Sequence, residues 1–127
     1  MRVIKALLLI ATIHLVSCEP QMKFDKNGWQ SGGATGYPPP SRKEMLKDLL
    51  SNYRLKGLSY RQIINLLGEP NGIDNSTVFY DIALRYDMID IDYAKSLLIV
   101  LDKDSIAREV KVYERKNKEV RIYEWNK

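Results

Sequence analysis

Apolar and polar positions change rhythm twice along this chain. Met45, Leu46, Leu49, Leu50 and Tyr53 recur at helical spacing as one stripe, with Lys43, Lys47 and Asp48 on the other side. This predicts a helix of about twelve residues, opened by Ser41 and Glu44 in the arrangement of a capping box. A second helix is predicted over residues 59–67. Ser59 and Gln62 form another capping box, Leu58 and Ile63 are spaced as a hydrophobic staple, and Ile63, Ile64 and Leu67 supply the apolar face. Gly68 suits the left-handed residue that closes a helix, and Pro70 forbids continuation. The link at residues 54–57 is short, so the two helices are expected to be neighbours.

Past a loop at residues 71–75 the period drops to two. Residues 77–82 are rich in β-branched and aromatic side chains, and residues 84–86 extend them. Residues 97–101 are apolar on both faces, as in a strand inside a sheet. Residues 102–105 read as a turn. Val110 and Val112 then alternate with Glu109 and Lys111. After a turn at residues 115–118, residues 119–123 supply a fourth, edge strand, where Lys and Arg in and beside the segment discourage pairing edge to edge. The order implies an α+β domain of two N-terminal helices packed on a three- or four-stranded antiparallel sheet.

Ahead of residue 41 the pattern is different. Arg2 and Lys5 precede an apolar run over residues 6–16, well short of the roughly twenty residues that span a bilayer. Leu15-Val16-Ser17-Cys18 fits the bacterial lipobox. It implies a signal peptide at residues 1–17, diacylglyceryl transfer to the Cys18 thiol, cleavage before Cys18, and usually acylation of the new N-terminus. Two or three acyl chains hold firmly where one is marginal. Glu19, in place of the Asp that tends to retain proteobacterial lipoproteins at the inner membrane, points to the outer membrane. Residues 18–40 hold the lipidated Cys and four glycines plus Pro38, Pro39 and Pro40, which is linker composition. As flexible coil such a tether reaches roughly 25 Å. Phe24 and Trp29 do not suit a pure linker; docking on the domain is expected, with gripping a partner or dipping into the membrane surface as alternatives. The domain itself is placed at residues 41–127.

Composition narrows the chemistry. At 127 residues, 45% hydrophobic and 28% charged, the chain has the make-up of a globular protein. Without residues 1–17, 18 basic side chains face 16 acidic ones, and no basic stripe suggests nucleic acid. Cys18 and His14 are the one Cys and the one His, so the usual zinc sets and Ser–His–Asp or Cys–His arrangements have no material in the mature chain. The glycines at residues 31–36 lack a following Gly-Lys-Ser/Thr and a preceding strand, so they are no phosphate loop. Asp87, Asp90 and Asp92, near Asp81, are the one acidic cluster. They lack the EF-hand's glycine and closing glutamate, and a solvated loop is the expected reading, ahead of a Ca²⁺ site or a glycosidase pair. Seven tyrosines fall within residues 41–127, a lean toward protein contact.

Gly57-Leu58-Ser59, Gln62-Ile63 and Leu66-Leu67-Gly68-Glu69-Pro70 together resemble the helical signature of the SmpA/OmlA, or BamE-like, small outer-membrane lipoproteins, with Leu58 where Met is usual. With the lipobox, the resemblance covers the anchor and roughly residues 41–114. It implies a non-enzymatic envelope protein without cofactor or metal, held at the outer membrane and accessory to its assembly or integrity. The β-barrel assembly machinery is the implied partner, and the chain is expected to be a monomer outside that complex. Tyr60 and Arg61, at the start of the motif helix, are the candidate contact residues. An inhibitor or ligand-binding lipoprotein of the β-lactamase-inhibitor-like fold, and a Ca²⁺-dependent enzyme at Asp87–Asp92, stay open as other classes.

Overall fold

Short turns, three of two residues and one of five, fold the second half of this chain back on itself in a computed structural model that describes residues 20–125. The strands are β1 (Gly72–Asp74), β2 (Thr77–Asp87), β3 (Asp90–Leu101), β4 (Ala107–Lys116) and β5 (Glu119–Glu124). They form one antiparallel sheet in chain order. Three short helices precede them: α1 (Lys26–Gln30), α2 (Ser41–Asn52) and α3 (Tyr60–Leu67). The class is α+β, with three helices rather than two and five strands rather than three or four.

The fifth strand comes from a segment expected to be loop. Asn75 and Ser76 both take positive φ, +46° and +64°, as a type I′ turn requires, and this lets β1 fold onto β2. The Asp102 turn forms as expected. Its carboxylate accepts from the backbone N–H groups of Asp104 and Ile106, and Ser105 takes φ +60°.

Register decides which face is buried. Val78, Ile99 and Val110 lie side by side across β2, β3 and β4, as do Tyr80, Leu97 and Val112, and all six are buried. Ile82 sits at a register shift in β2 and is buried too. Onto this face pack Met45, Leu46, Leu49 and Leu50 of α2 and Ile63 and Leu67 of α3. Each such side chain contributes about 1.5–3 kcal/mol. The opposite faces of residues 98 and 100 are only half-covered, so β3 is not buried on both sides as its composition suggested.

Helix ends follow the sequence in one case and depart from it in the other. Ser59 Oγ accepts from the Gln62 N–H at 3.2 Å, and Gln62 Oε1 accepts from the Ser59 N–H at 2.9 Å, the reciprocal box. Gly68 closes α3 with φ +80° and ψ −164°, a conformation open to glycine rather than the left-handed helical one expected. At α2 no box forms. Pro40 already has helical angles and stands at the N-cap, so Ser41 is inside the helix with no capping hydrogen bond.

The packed unit begins well before Ser41. Trp29 in α1 is fully buried, edge-on to Phe24 at 5.8 Å and to Tyr80 at 6.0 Å. Of the alternatives for these two aromatics, docking is what occurs.

Candidate functional site

Two constructions stand out beyond the core, one holding the N-terminal segment down and one projecting from the sheet. The first is built around Arg42, which the sequence did not single out and which is 4% exposed. Its Nε donates to Trp29 O at 2.8 Å, and its Nη1 donates to Asn71 Oδ1 at 2.8 Å and Asp81 O at 2.9 Å. The guanidinium lies over the rings of Trp29 (5.4 Å) and Tyr80 (5.7 Å). Burial pushes its pKa down, opposed by Asp81 and Tyr80. Arginine stays charged regardless, so a buried cation ties α1, α2 and β2 together through directed bonds. Burial likewise pushes the Tyr80 phenol up, and its hydroxyl donates to Gly68 O at 2.8 Å.

Further bonds fasten the same segment. The Met22 N–H donates to Glu44 O, the Phe24 N–H to Asp48 Oδ2, and Gln30 Nε2 to Leu67 O. The Phe24 N–H, then Asn52, hold the Asp48 carboxyl below the usual carboxylate range.

The second construction is the far end of the β2–β3 hairpin. Past Ile82 the strands run on for about 17 Å at the usual rise per residue. Asp87 pairs with Asp90, leaving Met88 and Ile89 as the two-residue turn. Their exposures are 94% and 91%. Met88 takes φ +59°, a place where glycine or asparagine is usual. An apolar pair in a turn that polar residues serve better breaks the local rule, the kind of departure concentrated at functional positions.

The stalk beneath this tip is braced. Arg85 Nε donates to both Asp92 oxygens at 3.0 Å, and its guanidinium lies 5.8 Å from the Tyr93 ring. The Arg85 pairing holds the Asp92 carboxyl low, and Asp92 holds the guanidinium high. Tyr86 stands edge-on to Tyr37 at 5.3 Å and donates to Gly36 O. Arg115 Nη2 donates to Ile91 O at 2.7 Å. The 18–40 segment therefore also touches the hairpin, through Gly36 and Tyr37.

The residues singled out from sequence are distributed unevenly. Cys18 and the signal segment lie outside the described residues. Tyr60 is half-buried against the core, and its N–H donates to Ser105 O at 2.9 Å. Arg61 is exposed beside it. The two are adjacent at the start of α3. The aspartates do not converge: Asp92 is engaged by Arg85, Asp81 accepts from Ser96, and Asp87 and Asp90 flank the bare tip. Among the described residues no group of three His, Cys, Asp or Glu side chains is placed to hold a metal ion. No described helix is long and apolar enough to cross a membrane.

No protein family, curated protein or solved structure matches this chain. Function therefore rests on its own residues.

Proposed function

We propose that this chain is a non-enzymatic, lipid-anchored binding protein of the bacterial envelope, held through Cys18 and accessory to outer-membrane assembly or integrity, as its resemblance to the SmpA/OmlA family implies. The observation that carries the binding role is the Met88–Ile89 tip, two bare apolar side chains on a braced hairpin. Such a pair gains by entering an apolar recess on another protein. Asp87 and Asp90 beside it favour a recess with a cationic rim and oppose insertion into an anionic bilayer.

The anchor and the clamp fit this role together. Met22 and Phe24 are fastened to α2, so the spacing from Cys18 to the packed domain is at most four residues. Fully extended, it reaches about 14 Å. The domain then works close to the headgroups, and the hairpin supplies the reach.

A periplasmic inhibitor is the second reading, favoured by the same tip, since a stiff apolar projection also suits an enzyme cleft. Affinity capture of the full-length protein from detergent-solubilised envelopes, after brief crosslinking, separates the two. Assembly components recovered with the parent and lost with Met88→Gly/Ile89→Asn support the proposal. Recovery of a single enzyme favours the inhibitor. Equal recovery of any partner by parent and variant removes the tip from the account.

A further inference from the structure

The helix layer is narrower than the sheet it covers. Leu46 and Leu50 of α2 face Val112 of β4, but β5 lies beyond the helices, and all six of its residues are exposed. Between the flank of α2 and this uncovered margin runs a cleft of about 380 Å³. Leu46, Leu50, Val112 and Trp125 give it apolar walls, with Lys43, Lys47 and Lys95 around them. Glu114 is the one carboxylate in its lining, and it already accepts from the Tyr93 hydroxyl at 2.9 Å. Among the described residues none of these three lysines is in an ion pair.

The same margin is an open edge. The Trp125 N–H donates to Val110 O, which sets the alternation along β5. Tyr123 and Arg121 therefore bond toward β4, while Val120, Ile122 and Glu124 turn their N–H and C=O groups outward. Arg121 sits within this edge, as the sequence suggested, but its side chain lies on the helix side and pairs with Glu119 at 3.0 Å. Val120 is 50% and Ile122 58% exposed, with no proline or bulge to block pairing. The opposite edge, β1, offers only three residues.

We propose that β5 and the α2 cleft form one binding surface, which takes an extended, acidic peptide segment of a partner protein as a sixth strand. Main-chain bonds to Val120, Ile122 and Glu124 would hold it, as in other strand additions. Its alternate side chains fall on the helix side, beside Arg121 and Tyr123 and over the cleft, where carboxylates meet Lys43 and Lys47. A second copy of this chain fits less well. In the two-fold register centred on Ile122, its Arg121 would stand beside Tyr123 and its Glu119 beside Trp125, and since these two already pair with each other they bring no free carboxylate to the lysines.

The test uses the full-length chain in detergent micelles and a short, end-capped peptide alternating glutamate with valine. Two controls replace glutamate by lysine or N-methylate alternate amides. Binding is read from the Val120 and Ile122 amide signals and by fluorescence anisotropy of the labelled peptide. The glutamate peptide is expected to bind and both controls to fail. Lys43→Glu with Lys47→Glu should weaken binding about tenfold. Ile122→Pro removes an outward N–H that β4 does not use, so it should keep the melting temperature and weaken binding at least as much. No binding of the glutamate peptide up to ~1 mM, or equal binding of either control, overturns the proposal. So does a dimer of the parent chain that Ile122→Pro dissolves, which would assign the edge to a second copy.

Discussion

Residues 22–42 and residues 83–92 are mirror images in one respect: each looks, by composition, like what the other is. The first is rich in glycine, proline and polar residues, yet it buries Trp29 completely and Arg42 almost completely. The second carries Leu84, Tyr86, Met88, Ile89 and Ile91, yet it ends in the barest side chains of the chain's described apolar residues. A segment is held by the few groups that reach the core, and its average polarity is a poor guide to that. One indole and one guanidinium suffice to fasten the first. In the second, the helix layer ends, and beyond the contact of Tyr86 with Gly36 and Tyr37 the tip stands bare.

The comparison breaks most severely at Trp29. Trp29→Ala should destabilise the full-length chain by about 3–5 kcal/mol, because a fully buried aromatic leaves a cavity that its neighbours fill only in part. Chemical denaturation measures it. A loss below about 1 kcal/mol would mean that the segment is not part of the core.

Arg42→Leu comes next. It keeps apolar volume but removes the guanidinium's bonds to Trp29 O, Asp81 O and Asn71 Oδ1, the last of which keeps only the Asp81 N–H, and should cost about 2–4 kcal/mol. Arg42→Lys should fall between, since an ammonium cannot reproduce the fork. Equal stability of Arg42→Leu and parent would reduce the clamp to packing.

The hairpin tip should behave in the opposite sense. Met88→Gly with Ile89→Asn relieves a positive φ and removes exposed apolar surface, so stability should hold or rise by about 0.5–1 kcal/mol. Partner recovery should fall in the same variant. A marked destabilisation would show that the tip packs somewhere and is not free to bind.

The smallest effect sharpens the edge of the docked region. The Asp48 carboxyl is held low by the Phe24 N–H and Asn52. Its contribution is therefore complete above its unfolded pKa, about 3.9, and is lost as pH falls through the lower folded value. The Phe24 amide signal should titrate with a midpoint below 3.9, and Asp48→Asn should abolish that step. A midpoint at the ordinary value would mean that the bond is absent in solution.

How much of this was legible depended on whether the signal was local. The Ser59–Gln62 box, the stop at Gly68 and the strand alternation past residue 77 are set by near neighbours, and they formed. The Ser41 box failed because Pro40 had already entered the helix. β1 was missed because three residues carry no period, only the turn at Asn75 and Ser76. Arg42 was missed because an arginine beside Lys43 reads as solvated, and its partners lie 13, 29 and 39 residues away. Gly28 read as linker glycine, whereas a side chain there would collide with the Met45 methyl. The bare tip was present in the sequence as Met88 and Ile89 between aspartates. Only the hairpin register showed that they form the turn.

Amide hydrogen exchange of the full-length chain in detergent, followed residue by residue at neutral pH, tests the central contrast most directly. The account predicts that Trp29 exchanges as slowly as the core strands at Val78 and Ile99, while Met88 and Ile89 exchange at the rate of open chain. Fast exchange at Trp29 with the sheet still protected would contradict it and return residues 22–40 to the status of a tether.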